Sequence, residues 1–238
     1  MRCCMELIKE INRLKKERNA VILAHNYQLP EVQDIADYVG DSLGLSIEAS
    51  KTDARVIVFC GVYFMAETAK ILSPDKTVLI PDKNAGCPMA DMITAEELRK
   101  LKSRHLQAKV LCYVNTTAAV KAECDVCCTS GNAEKIVREA FHGDDEIIFV
   151  PDQYLAGYIA KRAGCEFILW KGFCPSHVKI LPEDIARERT WHPNAEVLVH
   201  PECPPSITSL SDRVLSTEGM CRYVKESKTR EFIIGTEI

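Results

Sequence analysis

A long internal repeat constrains this sequence more than any other feature. Three apolar runs end in polar residues: AVILAHN at 20–26, KVLCYVN at 109–115 and EVLVHPE at 196–202. Each is followed by a segment that starts with Asp and ends with Ser, and then by a second apolar run. Aligning His25, Asn115 and His200 gives steps of 90 and 85 residues. This period is longer than that of solenoid repeats, so we expect each unit to be a small domain.

The segments between the apolar runs predict the fold class. The runs lack polar alternation, and most are separated by amphipathic segments of helical length, which indicates parallel strands covered on both faces by helices. We predict an α/β fold of three homologous α/β/α domains in a pseudo-threefold arrangement, spanning 1–90, 91–176 and 177–238. Residues 5–18 have helical spacing, and a second helix is expected after Pro30, carrying Val32, Ile35, Ala36 and Val39.

Two loops carry a Cys-Pro pair at the same phase of the repeat. Cys87-Pro88 and Cys174-Pro175 lie 87 residues apart. The repeat therefore predicts a third cysteine at roughly position 260, an extrapolation of the same period. Because the sequence stops at Ile238, we expect the third domain to be incomplete.

Composition narrows the possible partners and the compartment. The chain has a net charge of −4, which gives no reason to expect nucleic acid, and its longest apolar runs are too short to cross a membrane. No secretory signal is recognisable at the N-terminus. We predict a cytoplasmic protein, in which the twelve cysteines are reduced and serve as buried thiols, ligands or catalytic groups. Cys60, Cys112, Cys127 and Cys128 lie in strand-like runs and are predicted to be core residues.

Polar residues cluster where the predicted strands end. Ligands of open α/β sheets bind beyond the carboxyl ends of the strands, so three such edges facing one cavity would form a shared site. Ser and Asn in these places are often only helix caps or turn formers, but their recurrence in three repeats favours a function. The candidate residues are His25, Tyr27, Ser42, Tyr113, Asn115, Ser130, His177, His200, Glu202, Ser216 and Thr217.

One cysteine per domain favours an iron–sulfur cluster over a structural zinc site, which usually uses closely spaced cysteine pairs. Three thiolates on a four-iron cluster would leave one iron open to a substrate oxygen. Such an iron could act as a Lewis acid and assist the loss of a hydroxyl group.

Several segments resemble quinolinate synthases, and the resemblance covers nearly the whole chain. The most specific are LAHNYQLPEVQDIADYVGDSLGLS (23–46) and GVYFMAETAKILSPDKTVLIPD (61–82). The others are CPMAD (87–91), YVNTTAAVKAECDVCCTS (113–130), GFCPSH (172–177) and HPECP (200–204). Members of that family have three homologous α/β domains around a [4Fe-4S] cluster. They condense iminoaspartate (iminosuccinate) with dihydroxyacetone phosphate to give quinolinate, phosphate and water in de novo NAD biosynthesis.

The resemblance implies a role for each candidate residue. It makes Cys87 and Cys174 cluster ligands, with the third ligand expected beyond residue 238. Tyr27 and Glu202 match residues with acid or base roles, His25 is grouped with them as catalytic, and His177 lines the cavity. The residues expected to bind the dicarboxylate or the triose phosphate are His25, Ser42, Tyr113, Val114, Asn115, Ser130, His177, His200, Pro201, Glu202, Ser216 and Thr217. An oxidase or dehydrogenase of L-aspartate is the expected supplier of iminoaspartate.

Two alternatives stay open on the sequence alone. One is an inactive remnant that keeps the fold but cannot hold the cluster. The other is a zinc-dependent lyase using Cys87, Cys174, His177 and His200. Cys203 and Cys221 are further thiols of the third repeat, and we do not expect either to be a ligand. Cys203 follows Glu202 in a motif of the resembling family in which it is not a ligand, and Cys221 falls at a different phase of the repeat.

Overall fold

The computed structural model describes residues 2–142 and 145–237, with side chains from residue 5 onward. Within this part, helices and strands alternate and the strands form three parallel sheets of four, four and three strands. The predicted α/β class is therefore confirmed. The chain forms two compact units, Met1–Cys87 and Pro88–Ile238, and each is described by itself.

The first unit contains one sheet, in the order β2-β1-β3-β4. Its elements are α1 (Arg2–Glu17), β1 (Ala20–His25), α2 (Pro30–Gln33), β2 (Tyr38–Gly40), α3 (Ser42–Lys51), β3 (Val56–Cys60), α4 (Tyr63–Leu72) and β4 (Thr77–Leu79). The predicted first helix is confirmed by α1. Strand β1 lies inside the sheet, where Leu23 and Ala24 are fully buried. It directs the residues that follow it to the carboxyl edge of the sheet.

The second unit begins with a sheet in the order β6-β5-β7-β8. A short 3-10 helix (Ala90–Met92) precedes α5 (Ala95–Lys102), β5 (Lys109–Tyr113), α6 (Ala118–Lys121), β6 (Val126–Cys128), α7 (Ala133–Ala140), β7 (Ile147–Val150), α8 (Gln153–Ala163) and β8 (Ile168–Leu169). Helix α5 begins with a capping box between Thr94 and Glu97, a standard N-terminal signal. Helix α8 ends at Gly164, whose φ of 72° suits a residue without a Cβ atom.

The last sheet has three strands in the order β10-β9-β11 within the described residues. A 3-10 helix (His177–Lys179) leads into α9 (Pro182–Trp191), β9 (Glu196–Val199), α10 (Pro205–Thr208), β10 (Arg213–Val214), α11 (Thr217–Glu226) and β11 (Phe232–Gly235). Val197, Val199 and Ile207 form its buried core with Ile185 and Cys203. The counterpart of β4 and β8 is not among the described residues.

An aspartate anchors the inner strand of every sheet in the same way. Asp37 accepts a hydrogen bond from the backbone N–H of Ile22 at 2.7 Å. Asp125 does the same for Val110 at 2.7 Å, and Asp212 for Val197 at 2.8 Å. These are the acidic residues that open the recurrent Asp-to-Ser segments of the sequence, so the repeat retains a structural contact in all three copies.

The anchoring contacts also fix which residues of the repeats correspond. Strand pairing places Ala24 opposite Val39, Cys112 opposite Cys127, and Val199 opposite Val214. The residue that follows these positions is His25 in the first sheet, Tyr113 in the second and His200 in the third. The alignment of Asn115 with the two histidines is therefore wrong by two residues, because it matched the polar residue rather than the strand register.

We expect Asp125→Ala to lower the free energy of unfolding by about 1.5–3 kcal/mol, the usual contribution of a hydrogen bond to a charged group. The substitution leaves the N–H of Val110, which is fully buried, without this acceptor. Urea unfolding monitored by circular dichroism would measure the loss. Asp125→Asn keeps an acceptor oxygen and is expected to retain most of the stability. An equal loss in both variants would contradict the anchoring role.

Two local predictions are wrong. The second helix ends at Gln33, and Val39 lies in strand β2 instead of on the helix, because Asp37 bonds to β1 and draws the following residues into the sheet. Among the four cysteines expected in the core, Cys112 and Cys128 are buried and Cys60 is half-buried, but Cys127 is exposed. Cys127 lies on β6, an edge strand with a neighbouring strand on one side only, whereas its pairing partner Cys112 lies on an inner strand and is fully buried.

Candidate active site

The first unit places a buried histidine at the carboxyl end of β1. The Nδ1 atom of His25 accepts a hydrogen bond from the backbone N–H of Tyr27 at 3.3 Å, so the ring carries its proton on Nε2 when neutral. The two rings meet edge to face, 4.7 Å apart. Burial lowers the pKa of His25 to about 4, although Asp41 opposes the shift. His25 is therefore a neutral imidazole near pH 7.

The same arrangement recurs in the second unit at His200. The backbone N–H of Glu202 donates to Nδ1 of His200 at 3.3 Å, which leaves the proton on Nε2. That nitrogen lies 3.2 Å from the hydroxyl oxygen of Ser130, to which it can donate. Burial lowers the pKa of His200 to about 4. This side chain is a neutral hydrogen-bond donor that joins the second sheet to the third.

Glu202 lies in the middle of a buried proton network. Its Oε1 accepts a hydrogen bond from the Tyr113 hydroxyl at 2.5 Å, and its Oε2 lies 3.0 Å from Nδ1 of His177. Burial alone would raise the pKa of Glu202, but the facing rings of His200 and His177 and the bond from Tyr113 hold it below its usual value. Glu202 is therefore a buried anion between two proton donors.

His177 and Tyr113 are tuned by the same carboxylate. Burial would lower the pKa of His177, but its contact with Glu202 more than offsets burial and raises it. Burial and the negative charge of Glu202 raise the pKa of the Tyr113 hydroxyl well above its usual value. The ring of His177 also stacks on that of His200 at 4.8 Å, and its Nε2 lies 3.0 Å from the Thr236 hydroxyl. The network therefore combines an ionised carboxylate, an imidazole whose affinity for a proton is increased, and a neutral phenol.

A buried thiol borders this network. Cys174 follows β8, and its Sγ donates to Oε1 of Glu237 at 3.1 Å. The Sγ atom, one ring nitrogen of His177 and one carboxylate oxygen of Glu202 all lie within 4.8 Å of one another. Burial and the charge of Glu202 raise the pKa of Cys174. Because this pKa is raised, the sulfur keeps its proton unless a metal binds it.

The surroundings of Cys174 fit a metal-bound thiolate. Two carboxylates facing a thiolate would repel it unless a positively charged metal core lay among them. Nε2 of His177 lies 3.0 Å from the Thr236 hydroxyl, whereas its Nδ1 has no hydrogen-bond partner, although it lies 3.0 Å from Oε2 of Glu202. Cys174 offers the thiolate, the ligand that iron–sulfur clusters use. His200, a ligand in the zinc alternative, uses both ring nitrogens in contacts with Glu202 and Ser130.

The remaining predicted residues lie at carboxyl edges of the sheets. Ser130 and Ser216, with Pro201, line a cavity of about 590 Å³ between the second and third sheets. Ser216 caps α11 by accepting the N–H of Gly219 at 3.2 Å. Contacts join Tyr113, His177 and His200 to Glu202, and His200 to Ser130, with Cys174 beside them. Val114 and Asn115 directly follow β5, and Thr217 begins α11.

The predicted residues of the first unit have equivalent positions in their own sheet. Ser42 begins α3 after the capping residue Asp41, and Cys87 is half-buried in the loop after β4. His25 and Tyr27 follow β1. Each of these four residues therefore lies at or beyond the carboxyl edge of its sheet.

Three side chains of the second unit were not predicted. Asp152 follows β7, and Thr236 and Glu237 follow β11, beside the network of Glu202 and His177. Strand register makes Asp152 and Glu237 equivalent, because Val150 and Gly235 pair with equivalent residues of β5 and β9. The repeat carries a signal for them in two of its copies, since an acidic residue lies two positions after Val150 and after Gly235, whereas the first copy has Val62 at that position.

Comparisons with known proteins identify the family. Residues 9–238 match the family model described as "Quinolinate synthetase A protein". The chain belongs to the quinolinate synthase family. The quinolinate synthase of Dehalococcoides mccartyi (strain CBDB1) is 57% identical over 234 residues, which cover 98% of this chain and 77% of that protein. Quinolinate synthase 1 of Methanosarcina acetivorans is 56% identical over 98% of this chain and 76% of its own length.

Other comparisons add less. The quinolinate synthase of Clostridium kluyveri is 58% identical over 98% of this chain and 76% of its length. The structure of the E-1-hydroxy-2-methyl-but-2-enyl-4-diphosphate reductase of Plasmodium falciparum aligns at 11% identity over 98% of this chain and 86% of that one. Its TM-score of 0.30 is too low to bear on the fold. Within the described residues, no helix combines the length and apolar character needed to span a bilayer. The quinolinate synthases are enzymes, and this chain is a member of that family.

Proposed function

We propose that this protein condenses iminoaspartate with dihydroxyacetone phosphate to form quinolinate, with release of phosphate and water, in de novo NAD biosynthesis. Membership of the quinolinate synthase family supports the product. The observation that carries the chemistry is the buried group formed by Cys174, His177 and Glu202. It combines a thiol ligand with a proton donor and a base.

The site is suited to anionic substrates. The substrates bear two carboxylates and one phosphate, and such groups bind well to hydroxyls and to the backbone N–H groups at helix N-termini. Ser130 precedes α7 and Ser216 caps α11, and both line the cavity between the two sheets. We assign the two hydroxyls to these anionic groups, with Ser42 in the equivalent position of the first unit.

Glu202 is the proposed general base. Enolisation of a triose requires removal of a proton from carbon, and a buried carboxylate that is already ionised can accept it. His177, whose pKa is raised by its contact with Glu202, is the proposed donor of a proton to a leaving hydroxyl. Tyr113 fixes the orientation of Glu202 through the 2.5 Å hydrogen bond. The family resemblance assigns Tyr27 and His25 complementary roles in the first unit.

The proposed cofactor is a [4Fe-4S] cluster. Cys174 is the ligand whose surroundings suit it, the resemblance assigns Cys87 the same role in the first unit, and the third ligand is expected beyond residue 238. When bound, the cluster supplies a Lewis acid for the hydroxyl that leaves as water. The free thiols of the described cysteines agree with a reducing compartment, so we place the reaction in the cytoplasm with an L-aspartate oxidase or dehydrogenase as supplier.

Anaerobic reconstitution with iron and sulfide tests the proposal. The protein should turn brown, absorb broadly in the visible range, bind iron, and form quinolinate from freshly generated iminoaspartate and dihydroxyacetone phosphate. Bound zinc in a colourless protein would favour the lyase alternative instead. A protein that binds neither metal and forms no quinolinate would be the inactive remnant, and the proposal would fail.

A further inference from the structure

Asp152 is a buried carboxyl group to which the reaction outlined above gives no role. It lies two residues beyond β7, has no solvent exposure, and caps α8 through Oδ1, which accepts the N–H of Leu155 at 2.6 Å. The backbone on either side is also fixed, because the N–H of Gln153 donates to the carbonyl of Gly172 at 2.9 Å. Its side chain is therefore held in one place.

The second oxygen of this carboxyl group has no hydrogen-bond donor. Among the described residues, Oδ2 of Asp152 is one of the few buried side-chain atoms without a partner. A charged carboxylate oxygen in such a position is strongly disfavoured, whereas a neutral carboxylic acid is tolerated at much lower cost. The geometry therefore favours the neutral form.

The ionisable groups around Asp152 also favour its neutral form. They are Glu202, His177, Tyr113 and Cys203, which come from separate segments of the second unit. His177 is the basic group among these four, and its Nδ1 lies 3.0 Å from Oε2 of Glu202. Burial, together with the charge of Glu202, raises the pKa of Asp152 to about 8, although the N–H groups of Leu155 and Tyr154 oppose the shift.

We propose that Asp152 is a positioning residue that carries a proton in the folded enzyme, so that His177 pairs with Glu202 alone. Its catalytic part rests on the proposed function, in which Glu202 is the base. A neutral Asp152 leaves the Glu202–His177 pair undisturbed. An ionised Asp152 places a second carboxylate beside one imidazolium, which weakens that pair and lowers the rate.

Infrared spectroscopy tests the protonation directly. The difference spectrum between the wild-type chain and Asp152→Asn at pH 7 should contain the carbonyl band of a protonated carboxylic acid, shifted in D₂O. The band should disappear as the pH is raised through about 8. If the spectrum at pH 7 contains only the bands of an ionised carboxylate, the proposal is overturned.

Stability gives a second readout that does not depend on activity. Because the pKa of Asp152 is raised in the folded state, its contribution to the free energy of unfolding is complete below its ordinary pKa of 3.8. That contribution is lost as the pH rises through about 8. Asp152→Asn keeps the cap on α8 but cannot ionise, so its urea midpoint should rise relative to wild type between pH 5 and pH 9.

A matched control separates this effect from capping. Asp41 caps α3 in the same manner, with Oδ1 accepting the N–H of Gly44 at 2.7 Å, but it is not fully buried. The midpoint difference between Asp41→Asn and wild type should change little over the same pH range. If Asp152→Asn behaves like this control, the proposal is overturned.

Kinetics complete the test. At pH 7, Asp152→Asn should keep kcat/KM within about threefold of wild type and should lose the decline above pH 8, because Asn resembles the neutral acid. A loss of about 100-fold or more at pH 7 would make Asp152 a catalytic base and overturn the proposal. If reconstituted wild type forms no quinolinate while the infrared band and the stability trend are present, the proposed function fails and the protonated Asp152 stands.

Discussion

Glu202→Gln is expected to lower kcat about 10²–10⁴-fold, the usual contribution of general acid–base catalysis. Gln has nearly the same shape as Glu and can still accept the hydrogen bond from Tyr113, but it cannot take up a proton at neutral pH. It also removes the carboxylate that raises the pKa of His177. One substitution therefore removes the base and makes the proposed proton donor less readily protonated. Quinolinate formation by the reconstituted protein measures the effect.

Glu196→Gln provides a matched control. Glu196 also accepts a hydrogen bond from a tyrosine, since the Tyr223 hydroxyl lies 2.5 Å from its Oε2, but it lies at the start of β9 instead of the carboxyl edge. Its replacement should leave the rate within about twofold, because surface changes of this kind are usually small in effect. Equal losses in the two variants would show that the tyrosine contact, not the base, matters.

Cys174→Ala is expected to abolish cluster binding and to lower quinolinate formation by about 100-fold or more, since even residues that only support metal ligands contribute 10–100-fold. The thiol is buried beside two carboxylates, and Ala offers no ligand in its place. Iron content, visible absorption and activity should fall together after anaerobic reconstitution. Retention of all three in Cys174→Ala would remove Cys174 from the ligand set.

Cys203→Ala is the corresponding control. Cys203 is as deeply buried as Cys174, but its Sγ points to the carbonyl of Gly235 at 3.6 Å. It is therefore a packed core thiol, and its replacement should leave iron content unchanged while lowering stability slightly through the small cavity it creates. Loss of iron in this variant would mean that Cys203 is a ligand and that the phase of the repeat is misleading.

The sheets could be predicted because their strands are buried on both faces. A continuous apolar run of four to six residues, repeated at a constant period, fits few structures besides a buried strand. Strand β2 was missed because it is short, lies at the edge and has an exposed Tyr38 and Val39, so hydrophobicity alone does not reveal it. The repeat does contain the signal, since the Asp-to-Ser segments of the second and third copies hold β6 and β10 at the equivalent position.

The candidate site was predictable only in part. Residues that follow the inner strand could be found by their polarity after an apolar run, and Tyr113, His200 and Glu202 do lie together. From the sequence, Asp152 could not be distinguished from an ordinary helix cap, because an Asp that precedes a helix is a common N-cap. The burial of its second carboxyl oxygen is evident only in the structure. Which nitrogen of His177 faces Glu202, and which faces Thr236, depends on packing that sequence does not specify.

The three aspartates that hold the inner strands separate folding from chemistry. Each sheet holds its inner strand through a carboxylate bonded three residues before the position at the carboxyl edge, so the anchoring contact does not involve that position. It is His25, Tyr113 or His200 in the three sheets. The same strand register therefore presents a neutral imidazole donor at two carboxyl edges and an orienting phenol at the third.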